Sequence, residues 1–181
     1  MALTVLLGGA RSGKSALAQR LAARWDGPVT VLVTGEAKDG EMAARIARHR
    51  AARPPGWATV EEPLELEAAL AAVPAGACVV VDCLTLWVAN LLEQGLPDGR
   101  LQERARAAAG LAAARAAPTV AVSNEVGAGI VPAEPLARRY RDLLGQVNAA
   151  WVAAADQALL LVAGRAVPLR DPLEALGLAD G

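Results

Sequence analysis

The sequence predicts an α/β fold, a mostly parallel sheet covered by helices on both faces. Two observations carry this. Short branched apolar runs alternate with longer Ala/Leu/Arg stretches of helical spacing, and the apolar runs are continuous rather than alternating, as strands buried on both faces require. The runs Leu3–Leu7, Val29–Thr34, Ala77–Asp82, Thr119–Ser123 and Ala158–Ala163 are the predicted strands. The predicted helices are Lys14–Trp25, Gly40–Arg50, Pro63–Ala72, Leu84–Glu93, Leu101–Ala116 and Pro135–Ala155. Gly164 punctuates the last strand, and Arg165–Arg170 reads as one more, an antiparallel edge. Pro54-Pro55-Gly56 stops the second helix, because proline has no amide proton to continue it. Gln94–Arg100 reads as a surface loop and Pro172–Leu178 as a short helix in a weakly determined tail.

With 181 residues and no internal repeat or linker, the chain is expected to form one domain over residues 1–181. Its residues are 54% hydrophobic but include no Phe, so the core must be built from Leu, Val, Ala and Trp. A formal charge of −1 gives no general attraction to nucleic acid or to anionic membranes, so anion binding must be local. No segment reaches the roughly 18 uninterrupted apolar residues of a membrane span. The cysteines Cys78 and Cys83 lack the spacing of a zinc site and read as free thiols of a reducing compartment. The expected setting is the cytoplasm.

The chemistry begins at Gly8-Gly9-Ala10-Arg11-Ser12-Gly13-Lys14-Ser15, which follows a predicted strand and opens a predicted helix. That context makes it a P-loop. The glycines let backbone amides curl round a phosphate chain, and the helix N-terminus adds partial positive charge. Lys14, one of two lysines, is placed to reach the β- and γ-phosphates of ATP or GTP, Arg11 adds a cation, and Ser15 is a ligand for Mg²⁺. Asp82 ends a buried strand, where a second group for the magnesium belongs. Its competing use is to cap the helix that starts near Leu84. Nucleotide binding follows from these residues; the choice among ATPase, small-molecule kinase and switch does not.

His49, the lone histidine, shares a helix face with Met42 and Ile46. That spacing also fits a half-buried histidine finishing an apolar stripe. Arg45, Arg48, Arg50 and Arg53 lie close in sequence, and like charges disfavour the imidazolium. A neutral imidazole among guanidinium groups suits attack on a phosphoryl centre, although the arginines equally fit a solvated helix face. Residues alone leave both uses open.

Three segments occur in fixed order: the P-loop, Glu41-Met42-Ala43-Ala44-Arg45-Ile46 followed by His49, and Ser123-Asn124-Glu125-Val126-Gly127-Ala128-Gly129-Ile130-Val131-Pro132. With Trp57, Glu61, Asp82-Cys83-Leu84-Thr85, Leu136-Ala137-Arg138, Arg141-Asp142 and Gly145-Gln146-Val147-Asn148, they span nearly the whole chain. The sequence thereby resembles the bifunctional adenosylcobinamide kinase/adenosylcobinamide-phosphate guanylyltransferases of cobalamin biosynthesis. The resemblance implies a RecA-like P-loop core, a homotrimer, and two transfers. A nucleoside triphosphate phosphorylates the hydroxyl of adenosylcobinamide; then a histidine, here His49, takes GMP from GTP and passes it to adenosylcobinamide phosphate. It also implies that Thr34-Gly35-Glu36, Arg50, Arg53, Glu61 and Asp82 lie at the GTP site. Glu61 is a candidate partner for the guanine edge, though Glu61-Glu62 also fits a solvated acidic loop. Asn124 and Glu125 are expected near the cobinamide arm or a subunit boundary. Gly35, Gly40 and Pro54-Pro55-Gly56 flank the helix of His49 and would let it move. Competing functions are a monofunctional kinase with a structural His49, and a switch that transfers nothing.

Overall fold

A computed structural model describes residues 3–51 and 53–178, with no side-chain description for Glu41 and Arg45. Seven strands form one sheet: β1 (Leu3–Gly8), β2 (Val29–Val33), β3 (Ala58–Glu61), β4 (Cys78–Asp82), β5 (Thr119–Val122), β6 (Gln157–Val162) and β7 (Arg165–Leu169), in the order β3-β2-β4-β5-β1-β6-β7. All neighbours are parallel except β6 and β7, which form the antiparallel edge the sequence predicts. Among the described residues seven helices connect and flank them: α1 (Lys14–Ala22), α2 (Gly40–Ala51), α3 (Leu66–Ala72), α4 (Leu84–Glu93), α5 (Asp98–Ala113), α6 (Pro135–Ala153) and α7 (Pro172–Ala175).

The two-residue period of a strand sends successive side chains to opposite faces. Leu3, Val5 and Leu7 of β1, Leu32 of β2, and Val79 and Val81 of β4 join one core with buried residues of α3, α4, α5 and α6. Leu6, Val29, Val31, Val33, Cys78 and Val80 enter the other, with Ala18 and Ala22 of α1. Helices therefore cover both faces, and the absence of Phe is met by Trp87 and Trp151, both fully buried. Trp87 also donates its indole N–H to the carbonyl of Leu64 at 2.9 Å. No described residue of α2 belongs to either core.

Parallel pairing has a consequence for function. β1, β2, β4 and β5 all end on one edge, so Gly8, Thr34, Asp82 and Ser123 emerge together. β5 lies between β1 and β4, separating the P-loop strand from the Asp82 strand by one position.

The elements differ from expectation mainly at their ends. β3 is absent from the sequence reading, because its four residues are all exposed and carry no buried apolar run. α5 begins at Asp98, inside the segment read as a loop: Pro97 is its N-cap residue, and Asp98 suits the positive end of the helix dipole. α1 stops at Ala22 rather than Trp25, and α3 starts at Leu66 rather than Pro63. Of the described tail residues only Pro172–Ala175 are helical, capped by the Asp171 carboxylate accepting from the Leu173 amide at 2.8 Å.

Truncating Trp87 to alanine removes a fully buried indole and leaves Arg104 as the remaining donor to the Leu64 carbonyl, and should cost about 3–5 kcal/mol in urea unfolding. Both cysteines are free thiols, and burial pushes the Cys78 thiol up to about 11 against the opposing charge of Arg115. A raised value leaves almost no thiolate at pH 8. Iodoacetamide should therefore alkylate Cys78 only after unfolding, as read by peptide mass.

Candidate active site

The P-loop is built by close backbone approach. Gly8 has φ +147°, and a Cβ there would lie 2.3 Å from the carbonyl oxygen of Leu161 on β6. Its own carbonyl accepts from the Glu125 amide at 3.1 Å, which ties the loop after β5 to the phosphate seat. Gly13, at φ +101°, is the N-cap residue of α1. Arg11 is also left-handed, at φ 57°. The Ser12 carbonyl accepts from the Gly164 amide at 3.0 Å, which fixes the loop from its far side. Lys14 is folded into this ring, donating to the carbonyls of Gly8 at 2.8 Å and Gly9 at 2.7 Å and approaching the Ser12 hydroxyl at 3.3 Å. Its ammonium thus sits inside the loop that the sequence assigns to phosphate.

Beside the loop runs a cleft lined by Ser15, Ala18 and Gln19 of α1, the valines Val31, Val80 and Val122, and Arg53, Trp57 and Asp82. Ser15 and Asp82, read separately from the sequence, share this cleft. Asp82 is not the helix cap it might have been: Cys83 occupies the N-cap position of α4, with no side-chain capping bond. Gln19 and Trp57 were missed as cleft residues. Gln19 lies four positions beyond Ser15 and hence on the same helix face, a signal the sequence does contain.

His49 also comes to Asp82. Its Nδ1 is 3.5 Å from Asp82 Oδ2, with the two side chains 33% and 20% exposed. Met42, Ile46 and His49 are the partly buried positions along their helix, so the predicted stripe exists. Ile46 lies against Gly35, where a Cβ would stand 3.8 Å from its Cδ1. The expected surroundings of His49 need a correction: a carboxylate, invisible in local sequence, stands beside it. The described helix runs over Gly40–Ala51, and Arg53 lies beyond it.

The remaining residues divide. Arg50 pairs with Glu61 on β3. Arg53 donates to the Thr59 hydroxyl at 3.1 Å; burial lowers its pKa, with the Asp82 carboxylate opposing that shift. Thr34 is fully buried, donating to the Cys83 carbonyl at 2.6 Å and accepting from the Cys83 amide at 3.1 Å. It holds β2 to the end of β4, a structural duty. Glu36 is drawn into an ion cluster with Lys38, which also pairs with Glu93 of α4. Asn124 donates its amide to Thr85 Oγ1 at 2.7 Å, and its carbonyl accepts from Asn148 at 3.0 Å.

A glycine loop between a parallel strand and a helix, with its lysine at the centre and an acid at the end of a neighbouring parallel strand, defines a P-loop nucleotide-binding protein of the α/β class. The chain belongs to the cobinamide kinase / cobinamide phosphate guanyltransferase family, whose sequence model matches residues 4–169. It is 46% identical over 171 residues to the bifunctional adenosylcobalamin biosynthesis protein CobP of Pseudomonas aeruginosa, covering 93% of this chain and 98% of that one. It is 38% identical over 181 residues to the bifunctional adenosylcobalamin biosynthesis protein CobU of Escherichia coli, covering 93% and 99%. The CobU protein of Salmonella typhimurium is likewise 38% identical, over 184 residues. Among solved structures, an ATPase of a type III secretion system shares 14% identity at a TM-score of 0.48, over 97% of this chain and about half (53%) of that one.

The close approach at Gly8 gives a test. Gly8→Ala should destabilise the protein by at least about 1 kcal/mol, because its Cβ would collide with backbone. Gly9→Ala, with nothing within 4 Å of its added carbon, should stay within about 0.5 kcal/mol of wild type in the same urea titration.

Proposed function

We propose that this chain runs two transfers at one triphosphate seat: phosphorylation of adenosylcobinamide by ATP or GTP, then transfer of GMP from GTP through His49 to adenosylcobinamide phosphate. The observation that carries the proposal is the convergence of the lone histidine and the P-loop cleft on Asp82. Family membership supports both activities.

In the kinase step, the amides of Gly8–Ser15 hold the phosphate chain, and Lys14 leaves its carbonyl partners to offset charge gathering on the γ-phosphoryl oxygens. Ser15 and Asp82 fit a magnesium ion. No group of three or more acidic, His or Cys residues forms a metal cage among the described residues, but magnesium bound with a nucleotide takes only one or two protein oxygens, the rest coming from phosphates and water. The ion would neutralise phosphate charge.

Guanylyl transfer needs a nucleophile in line with the α-phosphorus. Dividing the reaction into two displacements lowers each barrier, and Arg50 and Arg53 flank the path with positive charge. Glu61, held by Arg50, is the candidate acceptor for the guanine N–H edge. α2 contributes to neither core, so moving it toward the α-phosphate disturbs little buried surface. Thr34 and Gly35 shape the β2 end of the site. Glu125, whose amide is bonded to the Gly8 carbonyl, and its neighbour Asn124 are assigned to the surroundings of the cobinamide arm or to a subunit boundary.

The reading includes a homotrimer in the cytoplasm acting on small molecules and not on nucleic acid. Ile130, 96% exposed beside exposed Val131 and Leu136, supports an assembly surface, and no described helix is long and apolar enough to cross a membrane.

His49→Asn tests the division of labour. The variant should keep kinase activity and lose guanylyl transfer by about 10³-fold or more. Wild-type protein incubated with labelled GTP should carry an acid-labile, base-stable label. Its absence sinks the covalent route, and parallel loss of kinase activity in the variant sinks the separation of roles.

A further inference from the structure

The pairing of His49 with Asp82 carries more than proximity. Of the two imidazole nitrogens it is Nδ1 that faces the carboxylate, 3.5 Å from Oδ2. The contact is at ion-pair distance, among the described residues no hydrogen-bond donor engages the Asp82 carboxylate, and the residue does not cap α4. The other charged groups nearby are cations with partners elsewhere: Arg50 is engaged by Glu61, and Arg53 by Thr59. Asp82 is thus the one described carboxylate paired with His49.

A neutral imidazole carries one proton, and the partner of one nitrogen decides which nitrogen keeps the lone pair. A carboxylate beside Nδ1 favours the proton there. We infer that Asp82 is a positioning residue for His49, holding the Nδ1–H tautomer and so assigning nucleophilic attack to Nε2. The inference rests on the guanylyl-transfer reading.

The step balances without a separate base. The Nε2 lone pair forms the bond to the α-phosphorus, while the bond from that phosphorus to the bridging oxygen breaks and its electron pair leaves with pyrophosphate. The ring keeps its Nδ1 proton and becomes cationic, and the Asp82 carboxylate offsets that charge as it develops. When an oxygen of the acceptor phosphate attacks in turn, the P–N electron pair returns to Nε2 and the ring is neutral again. A carboxylate has two oxygens. Oδ2 is the oxygen nearest His49, and Asp82 also lines the cleft shared with Ser15.

His49 being the only histidine makes the test direct. Untagged full-length protein labelled with ¹⁵N-histidine gives the two nitrogen signals of a single imidazole. At a pH where the ring is neutral and without nucleotide or magnesium, Nδ1 should show the shift of a protonated nitrogen and Nε2 that of an unprotonated one. Asp82→Ala should move population to the other tautomer and slow adduct formation by about 10²-fold, while Asp82→Glu retains the wild-type tautomer. In wild-type protein treated with GTP, ³¹P–¹⁵N coupling should place phosphorus on Nε2. Phosphorus on Nδ1, a wild-type ring protonated on Nε2, or a tautomer unchanged in Asp82→Ala overturns the inference. Should that variant fail to fold, the wild-type tautomer and the attachment site still decide it. Absence of any adduct condemns the guanylyl-transfer reading itself, a result separate from an adduct on the wrong nitrogen.

Discussion

The site hangs on the packing of the Gly8 backbone against the end of β6. That approach leaves no room for a side chain, and it begins the glycine-rich turn that leads from β1 into α1. Bonds from Glu125 and Gly164 hold the ring from both sides. Neither the lysine nor the serine could be aimed without it, because both are the first residues of the helix that this turn launches. A buried parallel sheet is a rigid support for such a turn, since displacing one strand exposes apolar surface on two faces.

The rest of the machinery is attached more loosely. α1 is packed into the smaller core through Ala18 and Ala22, whereas α2 is outside both. Its described links to the body are an ion pair to the exposed strand β3, the His49–Asp82 approach, and the contact of Ile46 with Gly35. Exposed pairs of this kind contribute at most about 1 kcal/mol each. His49, the proposed nucleophile, therefore rides on an element whose placement costs little to change, while the phosphate loop is held by the core. For an enzyme addressing the γ-phosphorus in one step and the α-phosphorus in another, that division of rigidity is useful.

Asp82 is where the two parts meet. It faces the cleft that holds Ser15 and Arg53, and it also faces His49. Thr34 keeps it there by bonding both polar backbone groups of Cys83. Thr34, which the resemblance implies for the nucleotide site, thus fixes the peptide that follows the acid.

Much of this was legible beforehand. Continuous apolar runs marked five of the seven strands, because burial leaves a compositional trace, and the antiparallel edge β7, exposed throughout, was marked by the turn at Gly164 before it. The exposed strand β3 leaves none, since its hydrogen bonds to β2 depend on backbone and not on side-chain type. By itself the sequence determined the α/β class, the phosphate loop and its lysine, and the family. Those rest on local patterns of glycine spacing, apolar runs and ordered motifs. Only the tertiary structure decided which groups meet: that Asp82 stands beside both Ser15 and His49, that Arg50 reaches Glu61, and that Glu36 turns away to Lys38. These pairings join residues on different elements, and the order of strands in the sheet sets them.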